Sequence, residues 1–196
     1  LDEHLVAAID ANDNGQKVYG RTDFDVEPYT IDDGIELFNP GIYEPKDYDS
    51  RFMEAVAVAK TVLERKKAKV LQTLTGEHEF GELYDASPDK QYIILPQYLP
   101  YTQLAESLPE LLYVIFPDAV NGLWIVHAVR KERGSFENRL PLPPAWRGKQ
   151  GKELEDASGV EGARFCHNGG FIGGVTTKEG AVEFAQKSIA DGTTTT

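Results

Sequence analysis

The stretch from Cys166 to Gly180, CHNGGFIGGVTTKEG, restricts the backbone more than any other in this chain, because Gly169, Gly170, Gly173 and Gly174 fall so close together. Glycine tolerates left-handed backbone and lets another group approach the main chain closely. Two local structures fit. In one, the glycines lead into a helix whose start is marked by a T-x-x-E capping box, Thr176 and Glu179, so that free amides and the helix dipole favour an anion. In the other, they form a hairpin connecting the strand-like ARFCH to that helix. Gly169, Gly174 and Thr176 nearly reproduce P-loop spacing, but the lysine that holds the phosphates is missing, which argues against a P-loop NTPase.

Elsewhere the hydrophobic pattern divides the chain. From about Asp47 to Leu74, apolar positions at Phe52, Val56, Ala59, Leu63, Val70 and Leu74 recur at three- and four-residue steps and predict a long amphipathic helix, with Gly76 as its stop. Before it, EHLVAAID reads as a helix ended at ANDNG, residues 16–30 are aperiodic, and Ile31 to Phe38 is a short helix. After it come strand candidates FGELYD, QYIIL, LLYVIF and LWIVHAV, a helix at YTQLAESL, and a proline-bound loop RLPLPPAWRG. A short helix at GKELEDASG, the strand ARFCH and a last helix at TTKEGAVEFAQKSIA complete the chain, with DGTTTT as a fraying tail. The expected class is α/β: a helical segment over 1–76, a mixed-sheet lobe over 77–190, and a disordered tail over 191–196.

Composition narrows function. The net charge of −12 weighs against a general nucleic-acid surface. The charge is uneven, however. Residues 1–59 hold fourteen acids against four bases, whereas Arg130, Lys131, Arg133, Arg139, Arg147, Lys149 and Lys152 face only Glu132 and Glu137. Acid at one end suits cations, and base in the later half suits an anionic ligand. The single Cys166 excludes an internal disulfide framework and a thiolate metal cluster. No apolar run has membrane length, and LDEHLVAAID lacks the blocks of a secretion signal, so a cytoplasmic site is expected, or an organellar or nuclear one in a eukaryote. The lack of an initiator methionine points to a processed form or a fragment.

Three sets of residues carry candidate chemistry. Asp10 and Asp13, three apart at a helix end, suit a hard divalent cation, though helix termination explains them as well and two carboxylates do not complete a site. Arg139 and Arg147 flank a stiff proline segment with Trp146 beside the second, an arrangement that suits phosphate and a stacked base, or a purely structural loop. His167 stands beside the glycines. His4, His78 and His127 have no partner at metal-ligand spacing, and His127 reads as a core residue.

Taken together, ENRLPLPPAWRGK and SGVEGARFCHNGGFIGGVTTKEGAVEFA resemble the signature of the MYG exonuclease family, and IDANDNG resembles its earlier D-A-x-D-N-G segment. That family is placed in the DHH phosphoesterase superfamily, whose members pair a metal-bearing N-terminal lobe with a substrate-binding C-terminal lobe. The resemblance implies that Asp13, with Asp10 beside it, is a metal ligand for manganese or magnesium. It implies that His167, Asn168, Gly169, Gly170, Gly173 and Gly174 belong to the substrate-contacting motif of the DHH-associated C-terminal domain, with Arg139 and Arg147 in the loop before it. The implied activity is metal-dependent hydrolysis of terminal phosphodiesters in single-stranded RNA or DNA; the alternative is a non-catalytic nucleotide- or nucleic-acid-binding module. Neither a DHH tripeptide nor an H-N-G-x-F-H-x-D-E segment is present, so the resemblance implies a partner lobe missing from this chain and no activity from this chain alone. Cys166, Asn168 and Gly169 also stand where valine, alanine and serine are commoner. A homodimer remains open, and no membrane is implied.

Overall fold

The computed structural model describes residues 6–16, 29–132 and 134–194. His4 and Arg133 lie outside them. The chain divides into two compact units between Gln72 and Thr73.

The first unit contains α1 (Ala7–Asp13), α2 (Ile31–Glu36) and the start of α3 (Tyr48–Ala86). Helix α2 begins at a reciprocal cap: Asp33 N–H donates to Thr30 Oγ1 at 3.3 Å, and Thr30 N–H donates to Asp33 Oδ2 at 2.5 Å. Helix α3 is capped by Asp47, whose carboxylate accepts from Ser50 N–H. Among this unit's described residues Ala55 alone is buried, while Phe52, Met53 and Leu71 remain exposed.

Helix α3 does not stop at Gly76. It runs on to Ala86, so FGELYD is helical rather than a strand. The reason is packing at four-residue steps: Phe80 and Tyr84 are buried, and a Cβ at Gly76 would meet Pro100 Cδ at 2.5 Å. The glycine is there for that contact. Pro88 ends the helix by disfavouring helical backbone at Ser87.

The second unit is built on a five-stranded sheet of β1 (Tyr92–Ile94), β2 (Tyr113–Asp118), β3 (Leu123–Ala128), β4 (Ala163–Cys166) and β5 (Ile172–Val175). Its order is β1-β2-β3-β5-β4. The β1–β2 pair is parallel and the others antiparallel, giving a mixed α/β fold. Helices α4 (Thr102–Ser107), α5 (Gly151–Ser158) and α6 (Lys178–Thr194) complete it, with a 3-10 turn at Pro144–Trp146. Alternation along the strands sorts the core. Tyr113, Ile115, Val126 and Ala128 pack with Leu142, Trp146, Leu154 and Phe184. Ile93, Val114 and Val129 pack with Phe80, Tyr84 and Leu111. Helix α6 continues through Asp191 to Thr194, where a fraying tail was expected. Among the described residues no helix is long and apolar enough to cross a membrane.

Candidate substrate-binding site at the β4–β5 hairpin

The glycines do not open a helix. Gly169 and Gly170 form the turn of the β4–β5 hairpin, and Gly173 and Gly174 belong to β5, which ends before α6 begins. Gly170 takes a left-handed φ of 67° at the turn. Its N–H donates to His167 O at 2.8 Å, and Gly169 N–H donates to His167 Nδ1 at 3.0 Å. Both amides are therefore spent inside the turn. Gly173 and Gly174 lie within β5, paired to Val126 and Ile125 of β3. There the missing side chains make room for protein: a Cβ on Gly173 would lie 2.9 Å from Phe184 Cε1, and one on Gly174 would collide with the Phe165 ring. The expected Thr176–Glu179 capping box is absent as well. Thr177 caps α6, its Oγ1 accepting from Gly180 N–H at 3.1 Å. Thr176 is instead engaged with the left-handed turn at Gly162: its N–H donates to Gly162 O, and its side chain lies against that glycine.

What the hairpin presents outward is side chain. His167 and Asn168 are exposed. Since His167 Nδ1 accepts from Gly169, the hydrogen of the neutral ring sits on Nε2, which is left to donate. The Arg147 guanidinium lies against Gly170, where a Cβ would stand 2.7 Å from Nε. Arg147 Nε donates to Leu142 O at 2.9 Å, which fixes the plane of the group. No hydrogen bond of its terminal nitrogens is found among the described residues. The loop carrying Arg147 is tied to the hairpin by Gly148 N–H to Cys166 O at 2.9 Å and Cys166 N–H to Lys149 O at 3.1 Å. The proline segment signalled a rigid loop, but nothing in its spacing revealed this pairing. The Cys166 thiol itself is buried, and burial pushes it up to about 11.

Arg139 is placed differently. Its Nη1 donates to Leu111 O at 2.9 Å and to Leu108 O, and its Nη2 donates to Glu106 O at 2.5 Å. These carbonyls belong to the end of α4 and the segment after it, so the guanidinium holds that end of the helix in place. Burial draws its pKa below the usual arginine value.

Asp10 and Asp13 lie on the last turn of α1, both exposed. Together with Asp32, Asp33 and Glu36 of α2 they line an open hollow of about 900 Å³ floored by Ile9, Ile31, Val62 and Leu63. The α2 carboxylates had no signal in the sequence, because their approach to α1 is tertiary. Three of the five acids are already engaged, the first being Asp10, whose Oδ1 accepts from Asn14 Nδ2 at 3.4 Å. Asp32 Oδ2 accepts from Asn12 Nδ2 at 2.6 Å, and Asp33 is held below the usual carboxylate range by the Thr30 backbone and hydroxyl donors. Among the described residues no three potential ligands converge on one point. A manganese or magnesium ion takes about six oxygen ligands, so Asp10 and Asp13 by themselves do not fit one.

The whole-chain comparisons agree with the motif. Over residues 1–189 the chain matches the family model labelled MYG1 exonuclease and described as an uncharacterised protein family, UPF0160. The chain belongs to the MYG1 exonuclease family. It is 31% identical to the MYG1 protein of Caenorhabditis elegans over 211 residues, covering 98% of this chain and 61% of that protein. It is 30% identical to the human MYG1 exonuclease, covering 96% of this chain and 54% of the human one. The Saccharomyces cerevisiae MYG1 protein is 31% identical, with 96% of this chain and 62% of the yeast protein covered. Against these three MYG1 relatives the chain thus spans between 54% and 62% of their length. No solved structure matches the chain.

Proposed function

We propose that this chain supplies the substrate-binding part of an exonuclease that hydrolyses terminal phosphodiesters of single-stranded RNA or DNA, within the DHH phosphoesterase superfamily. The human and rat relatives are named exonucleases. The observation that carries the reading for this chain is the Arg147 guanidinium held against Gly170, its terminal nitrogens without a hydrogen bond among the described residues, at the turn that also carries the exposed His167. A guanidinium fork binds two phosphate oxygens in a fixed plane. The grip is made by side chains, since the turn amides are occupied. Arg139 anchors α4 and supports the unit from a distance.

Metal dependence on manganese or magnesium belongs to the same proposal. Asp13, with Asp10, contributes to such an ion only if further ligands come from outside the described residues, so hydrolysis is expected of a larger assembly with a DHH-type lobe and not of this chain alone. A second reading, a non-catalytic module that binds nucleotide or nucleic acid, uses the same grip and predicts that manganese has no effect even in the longer protein.

The test is thermal denaturation with a nucleoside monophosphate, with and without manganese. Stabilisation of about 1 kcal/mol or more, equal without metal and lost in Arg147→Ala, supports the grip. No shift under either condition overturns it.

A further inference from the structure

The chain contains three Asn–Gly pairs, Asn14–Gly15, Asn121–Gly122 and Asn168–Gly169. In such a pair the glycine nitrogen can attack the preceding carboxamide carbon, because no side chain shields it. All three lie in exposed turns, so exposure does not rank them. Hydrogen bonding does.

Two of the pairs are closed to this chemistry. Asn121 Nδ2 donates to Asp118 Oδ2 at 2.6 Å, and Gly122 N–H donates to Asp118 O at 2.9 Å. Asn14 Nδ2 donates to Asp10 O at 2.7 Å and to Asp10 Oδ1 at 3.4 Å, and Gly15 N–H donates to Asn12 O at 2.9 Å. In both, the carboxamide is tethered and the glycine proton rests on a carbonyl oxygen too weak as a base to take it. The nearby carboxylate opposes negative charge on the nitrogen. Asn168 differs. Gly169 N–H donates to an imidazole nitrogen, His167 Nδ1, at 3.0 Å. That ring is held in place, its centroid 4.4 Å from that of Phe171, and a Cβ on Gly169 would stand 3.4 Å from Nδ1. The Asn168 carboxamide makes no hydrogen bond among the described residues, and its Oδ1 rests against the bare Gly148 of the arginine loop.

We infer that Asn168 is a site of self-catalysed deamidation, with His167 as the proton acceptor. His167 Nδ1 takes the Gly169 amide proton as that nitrogen attacks Asn168 Cγ, and rotation about the Asn168 Cα–C bond closes a succinimide ring. The Cγ–Nδ2 bond breaks, and Nδ2 leaves as ammonia carrying the proton. Water then opens the ring at one carbonyl or the other, giving aspartate or isoaspartate. Either product sets a new carboxylate against the loop that carries Arg147. Where the hairpin is read as an anion grip, a clause that rests on that reading, the new charge repels phosphate and retires the site with age.

The test ages the full chain in neutral buffer at body temperature and follows each Asn–Gly peptide by mass spectrometry, with an isoaspartate-specific methylation assay beside it. The expected result is conversion at Asn168 at least tenfold faster than at Asn121 or Asn14. Unfolding in guanidinium should speed Asn121 and Asn14 but not Asn168, a comparison that needs no variant. His167→Gln, checked for folding by its melting curve, should slow Asn168 by a similar factor. Equal native rates at the three pairs, or an Asn168 that speeds up on unfolding, overturns the site. A folded His167→Gln chain that converts as fast as its parent overturns the role of the histidine. The aged chain should also lose the nucleoside-monophosphate stabilisation of a fresh one. Conversion without that loss overturns the effect on the grip, whereas a fresh chain that shows no stabilisation overturns the grip and leaves the modification site standing.

Discussion

The Phe184 ring occupies the space that a side chain at Gly173 would need, its Cε1 lying 2.9 Å from where that Cβ would stand. Helix α6 can pack against β5 only because that position is bare. Gly173→Ala is therefore expected to destabilise the chain by about 1–3 kcal/mol, as overpacked cores do. Urea unfolding reads the loss. A glycine kept for a ligand would give the opposite pattern, with stability retained and nucleotide binding lost.

Arg139 and Arg147 should part company under mutation. Replacing Arg139 by alanine strips partners from the Glu106, Leu108 and Leu111 carbonyls and is expected to cost about 1–3 kcal/mol of stability. Nucleotide binding by the folded protein should be unchanged. Arg147→Ala gives up only the bond to Leu142 O, so it should cost less stability than Arg139→Ala while abolishing binding. Equal effects of the two changes on both readouts would reject the division of labour.

Acid should loosen the sheet through His127. Burial, helped by the nearby Arg130 charge, lowers the pKa of this ring below its ordinary 6.5. The unfolded state then binds a proton that the folded state resists, so stability is full above about pH 6.5 and falls as pH drops toward the lowered folded value. Chemical denaturation at stepped pH values between 7.5 and 5 should show the slope, and His127→Gln should flatten it. Tyr101 does not enter the slope, because burial pushes its hydroxyl up and keeps it neutral.

Cys166 is expected to resist chemistry. With its thiol pushed up to about 11 by burial, the thiolate fraction at neutral pH is very small. Iodoacetamide should leave the native chain unmodified over hours and label it completely in guanidinium, as mass spectrometry would show. Prompt labelling of the native protein would mean that the β4 region opens readily.

Much of the fold could be read from local pattern. QYIIL, LLYVIF and LWIVHAV are strands because their apolar residues alternate between two cores, and Gly159 closes α5 in a left-handed φ of 64°. Gly76 and FGELYD misled because a glycine usually stops a helix, whereas here Pro100 requires the bare position and Phe80 and Tyr84 hold the helix on. The site was legible as a motif but not as a geometry. Residue order alone did not distinguish glycines emptied for Phe184 and Phe165 from glycines emptied for a phosphate. Nor did it reveal that Arg139 turns inward, since the carbonyls it meets lie about thirty residues away in the chain.

The pairing of Gly148 with Cys166 ties the arginine loop to the histidine hairpin through main-chain bonds on the outer side of β4. Local opening of that seam releases both segments at once, so the amide hydrogens of Gly148 and Cys166 should exchange with solvent deuterium at one common rate. The same seam satisfies polar groups that a bare terminal strand would offer to a neighbouring molecule, so the segment that positions Arg147 also guards the sheet against edge-to-edge aggregation.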